Sequence, residues 1–145
     1  DSIFARPVLV LLPRYHRGMI CPCSGMPPGT DFDDCCRPAL DGETWPTTAE
    51  ALMRSRYTAF VRGNEDHLFR TWHAKTRPDD VGVDDATTWL GLEIVSTTDG
   101  GPDDATGTVH FRARFRDHLG EHVLEENSSF VRRAGRWMYF EALDN

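Results

Sequence analysis

No stretch of this sequence is apolar for long enough to cross a bilayer: the run from Val8 to Leu12 is bracketed by Pro7 and Pro13. A Gly-rich phosphate loop, a Gly-x-Ser-x-Gly elbow and a His-Glu-x-x-His pair are all missing, which removes the common nucleotide-binding, hydrolase and metalloprotease readings. Positive charge is also short. Sixteen basic residues against twenty-three acidic ones give a net charge of -7, so a nucleic acid or an anionic membrane is disfavoured as a partner unless the basic groups share one face. An export signal needs a longer apolar core followed by small residues, whereas Arg14, Tyr15, His16 and Arg17 follow the short run here. We read no such signal and expect a cytoplasmic protein. The first methionine is Met19, so residues 1–18 are expected to be an extension upstream of the true start.

What remains suits a single folding unit. With 145 residues and 39% hydrophobic side chains, one hydrophobic core is expected, without help from a second domain. No internal repeat or low-complexity tract interrupts it.

The cysteines are few and crowded. All four lie between Cys21 and Cys36, as Cys21-Pro22-Cys23, eleven intervening residues and Cys35-Cys36. Two tight pairs joined by a turn-rich loop suit a tetrahedral ion, since zinc takes four thiolates at about 2.3 Å. Iron also accepts four sulfurs, so it is not excluded. Two disulfides across the pairs are the alternative, disfavoured where no export signal is read. Residues 19–37 therefore read as a metal knuckle that has no core of its own, with the metal structural because four thiolates leave no open position.

Beyond a connection, Thr47 and Glu50 stand at capping-box spacing and predict a helix running to about Arg62, with Leu52, Met53, Arg56, Ala59 and Phe60 on its buried face. Gly63 is the expected stop. Asn64 is placed to cap a second short helix ending near His73, with Leu68, Phe69 and Trp72 as its apolar side. From Thr88 the period becomes two. Val109, Phe111, Ala113 and Phe115 alternate with His110, Arg112, Arg114 and Arg116, the pattern of an antiparallel strand with one dry face. Leu90, Leu92 and Ile94 mark a strand before it; Leu124–Val131 and Arg136–Ala142 mark two after it, with turns at Asp117–Gly120 and Ala134-Gly135. Helices followed by an antiparallel four-stranded meander give an α+β fold over residues 47–145.

Cys-Pro-Cys followed at a distance by Cys-Cys resembles the SEC-C metal-binding motif. Leu52-Met53-Arg54-Ser55-Arg56-Tyr57 with Ala59-Phe60, then Thr71-Trp72-His73 and Trp89-Leu90-Gly91-Leu92, resembles the YchJ-like family of uncharacterised proteins, over a span from about Cys21 to the C-terminus. The resemblance implies a nuclear transport factor two-like fold after the knuckle, a curved sheet wrapped round helices into a cone. Two features depart from the family's pattern. The spacer is longer, with Met26-Pro27-Pro28-Gly29, and acidic at Asp31, Asp33 and Asp34, and residues 1–18 have no counterpart in it. SEC-C motifs resemble the tail of the SecA translocation motor, which contacts partners, so a protein partner at the knuckle is an expectation.

Cones of this kind can hold a pocket, and the polar candidates for it are Arg54, Arg56, Tyr57, His73, Glu126 and Ser128. Glu126, Ser128 and Phe130 share a strand face. As a structural group, Glu126 is expected to pair with Arg54 or Arg56. As a general base it would instead work with His73 or Tyr57 as proton donor. The arginine row of the second strand reads as a solvated face balanced by acidic neighbours, and Trp137 and Tyr139, on one face of the last strand, as packing. The function expected is that of a metal-knuckle accessory or binding protein; the alternative is a small-molecule enzyme of isomerase, dehydratase or hydrolase type using the pocket.

Overall fold

Thr48 starts the central helix. Its hydroxyl oxygen accepts from the Ala51 N–H at 3.0 Å, one residue later than the expected cap at Thr47. Glu50 does not reach back to complete a capping box, because its carboxylate is taken by Arg54 Nε at 2.9 Å one turn on. The computed structural model describes residues 19–143, so the extension expected at residues 1–18 lies outside the described residues. Within them a 3-10 turn at Phe32–Asp34 leads into α1 (Arg37–Leu40), then α2 (Ala49–Arg62) and α3 (Glu65–Arg70). Four strands follow: β1 (Thr88–Asp99), β2 (Thr106–Asp117), β3 (Gly120–Arg133) and β4 (Arg136–Leu143).

Gly63 ends α2 in the left-handed conformation, at φ 70°, and Asn64 caps α3 by accepting from the His67 N–H at 3.0 Å. Helix α3 stops at Arg70 rather than near His73. Residues 71–73 run beside β4 instead, with Tyr139 N–H donating to the Thr71 carbonyl and His73 N–H to the Tyr139 carbonyl, both at 2.8 Å. This short parallel contact covers part of an edge strand that would otherwise offer unpaired backbone. In so short a helix only His67 and Leu68 reach the core. Phe69, expected on the apolar side, is exposed and lies under the Arg77 guanidinium, 3.7 Å from the ring centroid.

The sheet is a meander in the order β1-β2-β3-β4, every pair antiparallel. Val109, Phe111 and Ala113 face inward and are buried, as the alternation predicts. On β1 the expected face changes. A bulge at Leu90 makes Trp89 the partner of Phe115 and Leu92 that of Ala113, so Trp89 joins Leu92 and Ile94 against the core while Leu90 does not. At the turn before β2, a Cβ on Gly100 would stand 2.8 Å from the Ala49 side chain, and the Gly100 carbonyl accepts from the Ala49 N–H at 2.9 Å. Only glycine lets the hairpin come this near the first turn of α2.

The inner face of the sheet packs on Leu52, Met53 and Tyr57 of α2. The same buried cluster takes in Cys21, Cys23 and Cys36. Knuckle and cone thus share one core, which is why α2 is buried round most of its circumference, down to the hydroxyls of Ser55 and Thr58.

The two faces of β2 make a direct test. Phe111→Ala should cost about 3 kcal/mol, at the low end for a buried ring because one side of Phe111 borders a cavity. Arg112 lies on the outer face and pairs with Glu125 at 3.1 Å and Glu93 at 3.5 Å, so Arg112→Ala should cost less than about 0.5 kcal/mol. Denaturant melts giving equal costs would mean that both faces are covered.

Candidate metal centre and cone cavity

The knuckle is built by backbone before any metal is considered. Residues 19–21 run antiparallel to residues 30–32, with Cys21 N–H bonded to the Thr30 carbonyl and Phe32 N–H to that of Met19, each at 3.0 Å. The loop between them folds back through Gly25, at φ 89°, where a Cβ would lie 2.4 Å from the Thr30 nitrogen. That reversal points Cys21 and Cys23 at Cys35 and Cys36, which enter α1 from the other side.

The four sulfurs lie within 4.8 Å of one another, with Cys23 and Cys35 at 3.6 Å and Cys35 and Cys36 at 4.0 Å. Four thiolates bound tetrahedrally at about 2.3 Å stand about 3.8 Å apart. A disulfide needs about 2.05 Å, and all four thiols are free. The donor set therefore fits a tetrahedral thiophilic ion and not the paired disulfides. Gly25 N–H donates to Cys23 Sγ at 3.4 Å, and the Thr58 hydroxyl donates to Cys36 Sγ at 3.3 Å while lying 3.7 Å from Cys21 Sγ. Such outer contacts fix the ligands' direction.

Electrostatics also call for a cation. Hydrogen bonds from Cys23 and Cys36 pull the Cys21 thiol far down. Desolvation, then charge on Cys23 and Cys21, pushes Cys35 up to about 12, and hydrogen bonding to Cys21 drives Cys36 higher still. Four thiolates cannot share so small a space without an ion between them. Arg54, one of the pocket candidates, belongs here: its Nη1 donates to the Cys23 carbonyl at 2.6 Å while Glu50 holds its Nε. Beside a divalent ion held by four thiolates, this guanidinium would offset part of the excess negative charge, the rest of its own charge being met by Glu50.

The cone cavity collects three of the other candidates. Arg56, Glu126 and Ser128 line it, with Phe60, Trp72 and Tyr139. The expected ion pair between Glu126 and Arg54 or Arg56 does not form. Two residues apart on a helix point about 200° apart, so Arg54 faces the knuckle. Arg56 has other partners: Nη1 donates to the Leu68 carbonyl at 3.0 Å and to Thr71 Oγ1 at 2.7 Å. Glu126 Oε2 accepts from the hydroxyls of Ser128 and Tyr139 instead. Tyr139 is thus more than packing, and desolvation followed by the Glu126 charge pushes its phenol up.

Tyr57 and His73 lie elsewhere. Tyr57 packs edge-on against Trp89, with ring centroids 5.8 Å apart, and desolvation pushes it up to about 12. His73 lies edge-on to the Phe140 ring, with centroids 5.3 Å apart, and is not among the residues that line the cavity. Neither can donate a proton to Glu126. One buried titratable group has no sequence signal at all. His67 is sealed in the core, its Nε2 2.9 Å from Ser55 Oγ and its Nδ1 3.2 Å from Arg70 Nη2. Because the Ser55 hydroxyl donates to the Leu52 carbonyl at 2.8 Å, the imidazole proton sits on Nε2 and Nδ1 accepts from Arg70.

The chain is similar in sequence and fold to known proteins. Residues 48–142 match the model of the YchJ middle NTF2-like domain. A UPF0225 protein of Corynebacterium glutamicum is 44% identical over 122 residues, covering 84% of this chain and 94% of its own length. A solution structure of a SEC-C motif containing protein from Rhodopseudomonas palustris superposes with a TM-score of 0.70 at 31% identity, over 88% of this chain and 99% of that one. A crystal structure of a SEC-C motif containing protein from Psychrobacter arcticus gives 0.67 at 26% identity, over 90% of this chain and 86% of that one. With an NTF2-like sheet and helices behind a four-cysteine knuckle, the chain belongs to the YchJ-like UPF0225 family.

Proposed function

We propose that the protein is a zinc-knuckle binding module, in which the ion is structural and holds the knuckle against the cone. The observation that carries this reading is the single cluster of four sulfurs at tetrahedral spacing, with no fifth ligand group and no open position among the described residues. A closed thiolate site has no room for substrate or an activated water. Zinc is the ion proposed because a redox-inert ion suffices for a purely structural four-thiolate site, and elemental analysis separates it from iron. Unbridged thiols support a reducing, cytoplasmic setting.

A protein is the partner class that suits the knuckle. Met19, Ile20 and Met26 are all exposed on it, and exposed apolar side chains grouped in this way favour docking. The negative net charge argues against a nucleic acid. The enzyme alternative is weakened by the cavity's own groups, since Glu126 has Tyr139 and Ser128 as partners and no histidine within reach. Elemental analysis of protein purified under reducing conditions tests the reading. One zinc per chain is expected; no metal, or two disulfides by mass spectrometry, would overturn it.

A further inference from the structure

The cone cavity holds two charged groups whose hydrogen bonding the protein itself leaves incomplete. Arg56 is 4% exposed, and its guanidinium lies over the rings of Trp72 and Tyr139 at 5.1 and 4.6 Å from their centroids. Nη1 is used, but Nε and Nη2 bond to no described residue. No side-chain nitrogen or oxygen among the described residues is both unpaired and sealed from solvent. These two donors therefore open onto the cavity that Arg56 lines. Across the same space Glu126 spends Oε2 on Ser128 and Tyr139 and leaves Oε1 without a partner among the described residues.

The other walls are apolar: Phe60, Trp72, Phe111 and Leu124. The void is about 240 Å³, smaller than the roughly 300–1,000 Å³ of a drug-sized site. A ligand matching it must answer both charges. An anion with no donor would face Glu126 unpaired, and a cation with no acceptor would face Arg56. A planar guanidinium with two free donors suits a carboxylate, and a free carboxylate oxygen suits an O–H or N–H.

We propose that this cavity binds a small hydroxy or amino acid with an apolar body. Its carboxylate sits on the free donors of Arg56, its hydroxyl or ammonium group donates to Glu126 Oε1, and its ring or branched chain packs on Phe60 and Phe111. The role is one of binding: Ser128 and Tyr139 hold Glu126 Oε2 and leave Oε1 to the ligand. This site is separate from the metal centre and independent of which ion the cysteines hold.

The test is a calorimetric titration of the metal-loaded full chain with mandelate, phenyllactate and phenylalanine, each against analogues lacking one group: phenylacetate without the donor, benzyl alcohol without the carboxylate. At least one of the three acids should saturate below about 1 mM and bind about tenfold more tightly than either analogue. Leu124→Trp fills the cavity from a position already 40% exposed, so it should weaken binding at least about tenfold with the melt unchanged. Arg56→Lys keeps the charge but loses the paired donors and should also weaken binding. The proposal is overturned if none of the acids saturates by about 10 mM, if the analogues bind equally well, or if Leu124→Trp binds as wild type does.

Discussion

Cys36→Ser is expected to release the ion and to lower the stability of the whole chain by about 5 kcal/mol or more, not merely to loosen the knuckle. If the order of residues 19–37 depended on the metal alone, an independent knuckle would unravel without it and leave the cone folded. Cys21, Cys23 and Cys36, however, lie in the same buried cluster as Leu52, Phe111, Phe130 and Trp137. Losing the ion would leave thiols packed where a bound cluster had been, and the shorter serine would pull the acceptor of the Thr58 hydroxyl out of place. Because binding to the folded state alone adds directly to stability, a chelator should lower the wild-type melting temperature by nearly as much as the mutation does. A variant melting within about 2 °C of wild type would show that the two parts are energetically separate.

Acid should weaken the fold through His67. Desolvation, followed by repulsion from Arg70 and Arg56, holds this imidazole down at about 3. In the unfolded chain it binds a proton below about pH 6.5. Between those values the unfolded state carries the extra proton, so stability falls as pH falls. The contribution is complete above about pH 6.5 and is reduced by about 4 kcal/mol near pH 3. Proton competition for the thiolates adds a slope of its own, so the comparison is with His67→Gln, whose amide can donate to Ser55 and accept from Arg70 but does not titrate. Wild type should show the steeper loss, and nitrogen NMR should find His67 neutral until the protein unfolds. Titration of the ring near its ordinary value in folded protein would contradict this.

The parts of the molecule legible in the sequence were those set by local spacing. Two cysteine pairs with a turn-rich spacer need only short-range geometry to converge, and the alternation from Val109 to Phe115 needs only the pleat. Gly63 and Asn64 acted as their chemistry demands. What escaped depended on which elements meet. The bulge at Leu90 was hidden because Trp89, Leu90 and Leu92 are all apolar, so alternation could not show which would turn inward. The Glu126 partnership was misread for a similar reason. A buried carboxylate needs hydrogen bonds, but two hydroxyls from β3 and β4 supplied them before any arginine did. His67 gave no signal because its neutrality is created by Ser55 and Arg70 closing round it. The run from Thr71 to His73 looked like the end of a helix, yet its backbone was claimed by β4.

The central claim is that Cys21, Cys23, Cys35 and Cys36 together hold one structural ion, and X-ray absorption at the zinc edge of the purified, reduced protein tests it most directly. Four sulfur neighbours at about 2.3 Å and no lighter ligand are the predicted result. A first shell containing oxygen or nitrogen, or fewer than four sulfurs, would contradict the closed site on which the account rests.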